Sequence, residues 1–457
     1  MKLTILGSCN VINWPEQLNL YFKDGKAIDL RNGTLMEMDA LSIYHIAKAL
    51  EQDSIAQQAV KSVLANLEEC SFWKHGVWGK DEIHFRFTSS AIRLLLLSHQ
   101  NNDGLITKSK LQELLAIHAS YHEKLPSGVW FYHDSLESDD IEYYPKWNGV
   151  SFLEASNKNK LIINTQLDTL VTLLMARKQL GFSEEQDQLN QQAIETLLAY
   201  RQGSVTLNGV VAWLDETVRA IYLMLLQRDS NLIAYSMRLI KKFYFKRFRF
   251  RIKKKFNLWG FKSGYIERDI RLPGDSPEYH VVNIWDMCKY LLWLKVSEIK
   301  ENSSISQLEN YFLKDIELGL RYIAKSYFYK NYIKRLSKST GHSNEILESI
   351  AIALKLGIRH AWLIDLYCEL RKVAPPSAGV LGVDPIISGS NTNDFSFIKE
   401  NTSKDTIKFY DGTELIINFS HQTVSHDKKS LFLSWSSSPI KGGEILEVKA
   451  RSAIILS

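Results

Sequence analysis

The sequence has few cysteines and no long apolar run. Its four cysteines, Cys9, Cys70, Cys288 and Cys368, are scattered among 457 residues and form no C-x-x-C pair. We interpret them as free thiols in a reducing compartment, which predicts a cytoplasmic location. The apolar run near the first residue is too short for a signal peptide. No apolar run approaches the roughly 18 residues that a membrane span requires.

Several catalytic signatures are also absent. The chain contains no P-loop, no dinucleotide-binding glycine fingerprint, no H-E-x-x-H and no G-x-S-x-G. Nucleotide-dependent chemistry and serine hydrolysis therefore have no sequence support. We expect no cofactor and no bound metal.

Acidic residues are missing from one stretch, residues 241–255, which holds nine Lys or Arg. Its middle alternates Phe and Ile with Arg and Lys, which is the period of a strand and predicts a basic β-hairpin near 244–270. The stretch is either a solvated edge strand or a surface for an anionic ligand, through Arg247, Arg249 and Arg251. An acidic glycan and an anionic membrane surface both fit. Nucleic acid is not expected, because no nucleic-acid module accompanies this single patch.

The composition of the whole chain, 45% hydrophobic and 23% charged, is typical of a soluble globular protein. Much of the sequence also shows helical periodicity. Apolar residues recur at three- and four-residue spacing in twelve segments, which pair in order into six αα-hairpins. Helices are predicted near 37–52, 54–67, 89–99, 107–122, 164–180, 186–202, 215–228, 229–243, 277–296, 304–326, 343–356 and 358–373.

The predicted domain order follows from a change of composition. Residues 1–36 contain short strands that cap the helical region or pair with a later sheet, and residues 37–373 hold the helices. A Pro- and Gly-rich linker, 374–385, separates them from a small antiparallel β domain at 386–457. A hairpin is predicted across Asp411–Gly412. The fold class is mainly α.

The first helix of each pair begins with polar side chains. These entries are Glu37/Asp39, Arg86/Thr88/Ser89, Asn164/Gln166/Asp168, Asp215/Glu216, Tyr279/His280/Asn283 and His342/Asn344/Glu345. Helix capping accounts for Ser89 and Ser343, because Ser suits a helix start, but it accounts poorly for Arg86, Trp213 and His280. If the first helices form an inner ring, their N-terminal ends meet at one mouth.

Six helix hairpins followed by a small β domain resemble the (α/α)6-toroid carbohydrate-active enzymes, which include polysaccharide lyases, uronyl epimerases and glycoside hydrolases. The resemblance is one of pattern and covers residues 37–373. It implies a site at the mouth of the inner helices and an acidic poly- or oligosaccharide as substrate. Terpene cyclases and prenyltransferase subunits share similar toroids, so the fold alone does not decide the function.

Lyase or epimerase chemistry removes the proton next to a carboxylate, which requires a base and a group that neutralises the carboxylate. Toroidal lyases use Asn, His, Tyr, Arg and Glu, and the chain offers these types at its predicted entries. Our expected base is His280, in the densely polar stretch 257–294, where Pro277 suits the first helical turn. The candidate catalytic residues are His280, Tyr279, Asn164, Glu216 and Asp215. The candidate substrate-binding residues are Arg86, Trp213, Asn283, Asp286, His342, Arg247, Arg249 and Arg251.

Three alternatives remain open. A glycoside hydrolase would use two carboxylates from among Asp215, Glu216, Asp269, Glu345 and Asp39. A zinc-dependent transferase or cyclase would take Asp286 and Cys288 with His342 or His360, although a buried structural cysteine is the commoner reading of Cys288. The chain could also be a non-catalytic glycan-binding or polysaccharide-assembly subunit, which would show no turnover.

Overall fold

A computed structural model describes most of the helical region of the chain. The described residues are 40–41, 44–45, 47–48, 53–70, 72–73, 83–137, 159–207, 209–226, 231–249, 251–252, 257–270, 278–297, 302–325 and 343–371, with the strand segments given below and Thr413. The expected linker and the entry residues Glu37, Asp39 and His342 lie outside them.

Eleven complete helices lie within the described residues. They are α1 (Asp53–Cys70), α2 (Phe85–Gln100), α3 (Lys108–Ser120), α4 (Ile163–Leu180), α5 (Glu184–Gly203), α6 (Gly209–Leu226), α7 (Asn231–Ile240), α8 (Glu278–Val296), α9 (Ser303–Lys325), α10 (Ser343–Lys355) and α11 (Ala361–Arg371). Each corresponds to a helix expected from periodicity. For the remaining segment, 37–52, residues 40, 41, 44, 45, 47 and 48 are helical.

Local sequence explains several of the helix ends. Gly181 follows α4 with φ of 74°, a conformation that costs glycine little. Ser183 then caps α5 in a capping box: its hydroxyl accepts from the backbone N–H of Gln186, whose side chain accepts from the backbone N–H of Ser183. Thr107 caps α3 by accepting from the backbone N–H of Lys110.

The core is a row of four packed helices. α2 packs on α4, α4 packs on α8, and α8 packs on α10. Large side chains such as Trp285 and Tyr290 of α8 are fully buried in this row. α3 covers α2, α9 covers α5 and α8, and α11 covers α10. The chain is therefore mainly helical, with an inner row of helices and an outer one.

Short strands flank this helical region and interrupt it. They are β1 (Thr4–Gly7), β2 (Asn10–Asn13), β3 (Leu20–Lys23), β4 (Lys26–Asp29), β5 (His122–Leu125), β6 (Gly128–Phe131), β7 (Val205–Leu207), β8 (Leu258–Phe261), β9 (Ile386–Ser388), β10 (Lys404–Lys408), β11 (Glu414–Asn418), β12 (Val424–Asp427), β13 (Phe432–Ser434), β14 (Ile445–Val448) and β15 (Ser452–Leu456). The N-terminal strands pair with each other, β1 with β2 and β3 with β4.

The C-terminal strands form a five-stranded antiparallel sheet in the order β13-β15-β11-β10-β9, while β12 pairs with β14. β10 and β11 are joined across Asp411–Gly412 with Lys408 opposite Glu414, at the hairpin expected from the sequence. Leu415, Ile417 and Ala453 of this sheet are buried with the helical core.

The expected basic strand is wrong. Residues Lys241–Arg249 continue from α7 as a π-helix, and residues 251–252 are helical. The rings of Tyr244 and Phe248 stack with centroids 5.7 Å apart, a contact between residues four apart that a helix brings together and an extended strand does not. β8 pairs in parallel with β7, so no basic hairpin forms at 244–270 among the described residues.

The fourth helix pair, α6 and α7, does not stand between the third and the fifth. α4 packs directly on α8, and α5 packs directly on α9. The guanidinium of Arg201 on α5 contacts the carboxylate of Asp315 on α9 through two hydrogen bonds of 2.6 and 2.7 Å. The expected inner ring is therefore not continuous through α6, because the helices on either side bind each other.

The described residues between 209 and 252 instead form an insertion that leaves and re-enters the core at one place. β7 lies immediately before α6, and β8 lies shortly after the π-helix. The two strands are joined by hydrogen bonds from the Val205 N–H to the Asn257 carbonyl (2.7 Å) and from the Lys262 N–H to the Leu207 carbonyl (2.8 Å). We call residues 209–252 the inserted hairpin.

Among the described helices, none is both long enough and apolar enough to cross a membrane.

Candidate functional site

The N-terminal ends of α2, α4 and α8 meet at one side of the core, here called the mouth. Backbone hydrogen bonds join the segments that lead into these helices. Phe85 N–H donates to the His133 carbonyl (3.1 Å), and Ser135 N–H donates to the Ile83 carbonyl (2.9 Å). Ile163 N–H donates to the Arg268 carbonyl (3.0 Å), so the segment that precedes α8 also holds the start of α4. The mouth is thus assembled from residues that are far apart in sequence.

A chain of buried ion pairs lies beneath the mouth. Arg86 of α2 contacts Asp286 of α8 at 2.7 Å, and Asp286 contacts Lys289 at 2.7 Å. Lys289 reaches Asp168 of α4 at 2.9 Å, and Asp168 contacts Arg93 of α2 at 3.0 Å. All five side chains are buried. Cations and carboxylates alternate along the chain, which binds three helices together through charge-assisted contacts.

Protonation in this chain is set by its neighbours. Burial alone raises the pKa of Asp168, but the charges of Arg93, Lys289 and Arg86 outweigh it and hold that pKa well below its usual range. Burial acts to lower the pKa of Arg86, whereas Asp286 and Asp168 raise it, with a net rise. Asp168 and Arg86 are therefore both charged at neutral pH.

Two histidines, His84 and His133, lie at the mouth beside the start of α2. Their ring centroids are 4.4 Å apart with a steep interplanar angle of 69°. Nδ1 of His133 lies 2.6 Å from the hydroxyl of Thr165, in the first turn of α4. Burial, then the charges of His84, Lys160, Arg268 and Arg86, hold the pKa of His133 well below its usual range. His133 is therefore a neutral imidazole at physiological pH.

A buried lysine and two carboxylates stand next to His133. Lys160 Nζ lies 3.1 Å from Asp134 and 3.2 Å from Glu137. Glu137 Oε2 accepts the backbone N–H of His133 at 2.7 Å. Burial first, opposed by Lys160 and supported by Asp134, raises the pKa of Glu137 to about 7. Glu137 is thus a group that exchanges a proton near neutral pH, which is common at functional sites.

Arg268 and Tyr279 form the more open side of the mouth. The Arg268 guanidinium lies over the Tyr279 ring with 4.8 Å from Cζ to the centroid, and it contacts Asp269 at 2.9 Å. The Arg268 side chain is 25% exposed and Asp269 is fully buried. Tyr279 is half-buried. Tyr279 is close enough to Arg86 and Arg268 to contribute to the rise in the pKa of both guanidinium groups.

His280 does not lie at the rim, as the sequence suggested, but is 0% exposed. Its Nδ1 accepts the Ile266 N–H at 3.0 Å, so Nε2 carries the ring proton and faces the Gly319 carbonyl at 3.4 Å. The ring stacks on Tyr265 with centroids 5.0 Å apart. Since both ring nitrogens are engaged with backbone, His280 joins α8 to α9 and to the loop before α8, and it is not placed as a base.

Two other candidates from the same helix are also buried. Asn283 donates to the Glu267 carbonyl at 2.6 Å, and Asp286 belongs to the ion-pair chain. Asn164, in the first turn of α4, is buried, and its Oδ1 has no hydrogen-bond partner among the described residues. The structure therefore brings Arg86, Tyr279, Asn164, Asn283 and Asp286 to the mouth or just beneath it.

The remaining candidates lie elsewhere. Asp215, Glu216 and Trp213 belong to α6 in the inserted hairpin, and Asp215 accepts the Tyr244 hydroxyl at 2.6 Å. Arg247 and Arg249 belong to the π-helix that follows α7, and Arg251 lies just beyond it. The expectation that Glu216 stands beside Tyr279 and Asn164 is not met, because α6 has no extensive contact with α4 or α8 in the described part.

The zinc set does not assemble either. Asp286 is occupied by Arg86 and Lys289, and the Cys288 thiol faces the Ser349 carbonyl at 3.6 Å. His360 pairs with Glu317 at 3.1 Å. Within the described residues no group of three or more His, Cys, Asp or Glu could hold a metal ion.

A separate cavity of about 480 Å3 lies between α9 and the paired strands β7 and β8. Its polar wall includes Asp315, which accepts from Arg201 and, at 3.1 Å, from the indole N–H of Trp259. Because these groups satisfy one another and the rest of the lining is mainly apolar, the cavity offers little free hydrogen-bonding capacity at Asp315.

Sequence reasoning missed His84, His133, Lys160, Glu137 and Arg268. The one sequence feature that could have pointed to these residues was their position: each lies one to thirty residues before a helix that was expected to be an inner one. Periodicity marks the helices themselves but gives no information about which of the residues between them fold back to the helix ends.

No protein-family model, no curated protein and no solved structure matches this chain.

Proposed function

We propose that this chain is a carbohydrate-active enzyme built on paired helices, and that it removes the proton next to the carboxylate of a uronic acid in an acidic poly- or oligosaccharide. A polysaccharide lyase and a uronyl epimerase share that first step. The observation that carries the proposal is the contact of Arg268 with Tyr279, 4.8 Å from Cζ to the ring centroid, at the mouth that also holds Arg86 and His133.

The cations supply what the carboxylate needs. Loss of the neighbouring proton places negative charge on the substrate carboxylate, and a guanidinium stabilises that charge best in a site with little water. Arg268 is partly exposed and able to meet a ligand. Arg86 is held by Asp286 beneath the mouth, so it acts on the site through its charge. Arg268 is therefore the binding residue and Arg86 a positioning residue.

Tyr279 and His133 supply the proton transfer. Neutral His133 accepts the proton from the carbon next to the carboxylate. In a lyase, the electron pair of that C–H bond forms the new carbon–carbon double bond, the bond to the leaving sugar oxygen breaks, and the Tyr279 hydroxyl protonates that oxygen. In an epimerase, Tyr279 returns a proton to the same carbon from the opposite face, and no bond of the polymer breaks.

The test uses Tyr279→Phe, with Tyr121→Phe as the matched control at a half-buried tyrosine at the end of α3. A panel of uronate-containing polysaccharides is assayed for the ultraviolet absorbance of an unsaturated uronate and for deuterium uptake from heavy water. We expect Tyr279→Phe to lower turnover by about two to four orders of magnitude and the control to change it little.

Unchanged turnover in Tyr279→Phe contradicts the proposal. Saturable binding of a polysaccharide by the wild-type chain, without product or deuterium uptake, would instead support a glycan-binding subunit.

Arg268→Lys is a second test of the proposal. The substitution keeps the positive charge but removes the bidentate contact that a guanidinium makes with a carboxylate, so we expect a higher KM with a smaller change in kcat.

A glycoside hydrolase is the second candidate, favoured by one observation. Glu137 has a pKa raised to about 7 and lies beside Asp134, and both carboxylates contact Lys160. Such enzymes use two carboxylates, one of them with a raised pKa. Under this mechanism Glu137→Gln abolishes turnover, Tyr279→Phe does not, and the product has no double bond.

A further inference from the structure

The inserted hairpin presents apolar side chains to solvent. In the described part of the chain, all the large apolar side chains that are exposed to solvent lie between residues 210 and 248. These side chains are Val210, Trp213, Ile221, Leu232, Tyr235, Leu239, Phe243 and Phe248. Helices of globular proteins bury such residues, and a contiguous exposed set marks an interaction surface.

The exposed residues form stripes at helical spacing. On α6 they recur at 210, 213 and 221, and on α7 at 232, 235 and 239, continuing to 243 in the π-helix. Val210 and Leu232 remain 77% and 75% exposed, and Trp213 remains 66% exposed. Each helix therefore turns an apolar face outward, away from the packed core.

Cations accompany this face. Lys242, Arg247 and Arg251 are exposed, and the Lys242 and Arg247 head groups lie over the Phe243 ring at 5.8 and 5.3 Å. The sequence has no acidic residue from 241 to 255. An apolar stripe that includes an aromatic residue, bordered by Lys and Arg, has the composition of a segment that lies in the interface of an anionic bilayer.

We propose that the inserted hairpin docks the protein on an anionic lipid surface, with the apolar stripes of α6 and α7 entering the headgroup region and the π-helix cations contacting lipid phosphates. A hydrated polysaccharide would meet the cations but would leave Val210, Leu232 and Leu239 uncovered, so the apolar stripe favours lipid. The docking is independent of the chemistry proposed at the mouth.

The way the hairpin joins the core suits this role. β7 and β8 hold its two ends together, and α4 packs on α8 without it. The hairpin can therefore contact a surface without disturbing the ion-pair chain or the mouth.

The test measures flotation of the full chain with vesicles of phosphatidylcholine alone or mixed with phosphatidylglycerol. Three triple variants are compared with wild type. The apolar variant is Leu232→Gln/Tyr235→Gln/Leu239→Gln, the charge variant is Lys242→Glu/Arg247→Glu/Arg251→Glu, and the control is Lys61→Glu/Lys108→Glu/Lys124→Glu, which changes net charge equally at exposed sites outside the hairpin.

We expect wild type and control to bind mixed vesicles and to bind phosphatidylcholine weakly. At low salt, the charge variant should bind mixed vesicles roughly 100-fold more weakly than wild type. At high salt, this difference should become small. The apolar variant should lose at least about tenfold at any salt concentration. Far-ultraviolet circular dichroism confirms that each variant is folded.

Equal binding of wild type to both vesicle types, or equal loss in the control, overturns the proposal. Concentration-dependent self-association that only the apolar variant abolishes, without vesicle binding, would show that a second copy covers the stripe. Binding of polygalacturonate that the apolar variant retains, without vesicle binding, would assign the cations to a polysaccharide. Either outcome refutes lipid docking.

Discussion

Lys289 on α8 and Asp168 on α4 form a salt bridge of 2.9 Å although 121 positions separate them in the sequence. Both side chains are buried, and each also contacts a second partner, Asp286 and Arg93 respectively. The bridge joins the two helices that have the most extensive mutual contact in the described core. Because these two helices pack directly on each other, the inserted hairpin does not lie between them.

Removal of this lysine tests the role of the ion-pair chain. Lys289→Met keeps the side-chain volume but leaves Asp168 and Asp286 with one cation fewer. Asp286 keeps Arg86 and Asp168 keeps Arg93. We therefore expect a loss of roughly 1–3 kcal/mol in the free energy of unfolding, because each buried carboxylate loses a charge-assisted hydrogen bond. Denaturant titration followed by circular dichroism measures it. Lys295→Met on the same helix is the control, since Lys295 is half exposed and should cost under about 1 kcal/mol. Equal losses in the two variants would contradict this role.

His118 predicts a pH dependence of stability. Burial lowers its pKa from 6.5 to about 4, while its Nε2 lies 3.0 Å from the Ser89 hydroxyl. Between pH 6.5 and pH 4, His118 is protonated in the unfolded chain but neutral in the folded chain. The stability that the buried neutral imidazole contributes is therefore fully present above pH 6.5 and is lost as pH falls toward 4. The expected loss is about 3 kcal/mol.

The measurement is the free energy of unfolding of wild type and His118→Gln from pH 4 to pH 8. The difference between the two curves should change across this window and stay constant above pH 7. His99→Gln, a half-buried histidine of α2, serves as the control. A constant difference between wild type and His118→Gln across the whole range would rule out this source of pH dependence.

His280 is expected to stabilise the fold and not to act in catalysis. His280→Ala leaves the Ile266 N–H without its acceptor and should destabilise by about 1–3 kcal/mol for that group, in addition to lost packing against Tyr265. His280→Asn offers an oxygen near the position of Nδ1 and should recover most of the hydrogen-bond loss. Denaturation midpoints of the two variants provide the comparison.

Activity separates the two roles of His280. If turnover per folded molecule falls by orders of magnitude in His280→Asn while stability is retained, the histidine is a base after all. Unchanged turnover per folded molecule, together with lower stability in His280→Ala, agrees with its buried position.

The sequence by itself determined the local structure. Three- and four-residue spacing located the helices, Gly181 marked the end of α4, and Asp411–Gly412 marked the β10–β11 hairpin. These features depend on contacts between residues close in sequence, where backbone conformation and side-chain period leave few choices. The sequence also named Arg86, Tyr279 and Asn164, which lie in the first turns of α2, α8 and α4, at the mouth or just beneath it.

Only the tertiary structure decided which partner covers each helix face. The sequence does not distinguish a polar residue that stays partly exposed at a helix start, as Tyr279 does, from one that accepts a buried backbone N–H, as His280 does. The alternating basic stretch fits a strand by its period, yet it continues α7 as a helix. The fourth helix pair lies outside the row of inner helices because α4 packs directly on α8. The sequence period shows that one face of a helix is apolar or charged. The residue that contacts this face can lie more than a hundred positions away in the sequence, and only the folded chain brings the two together.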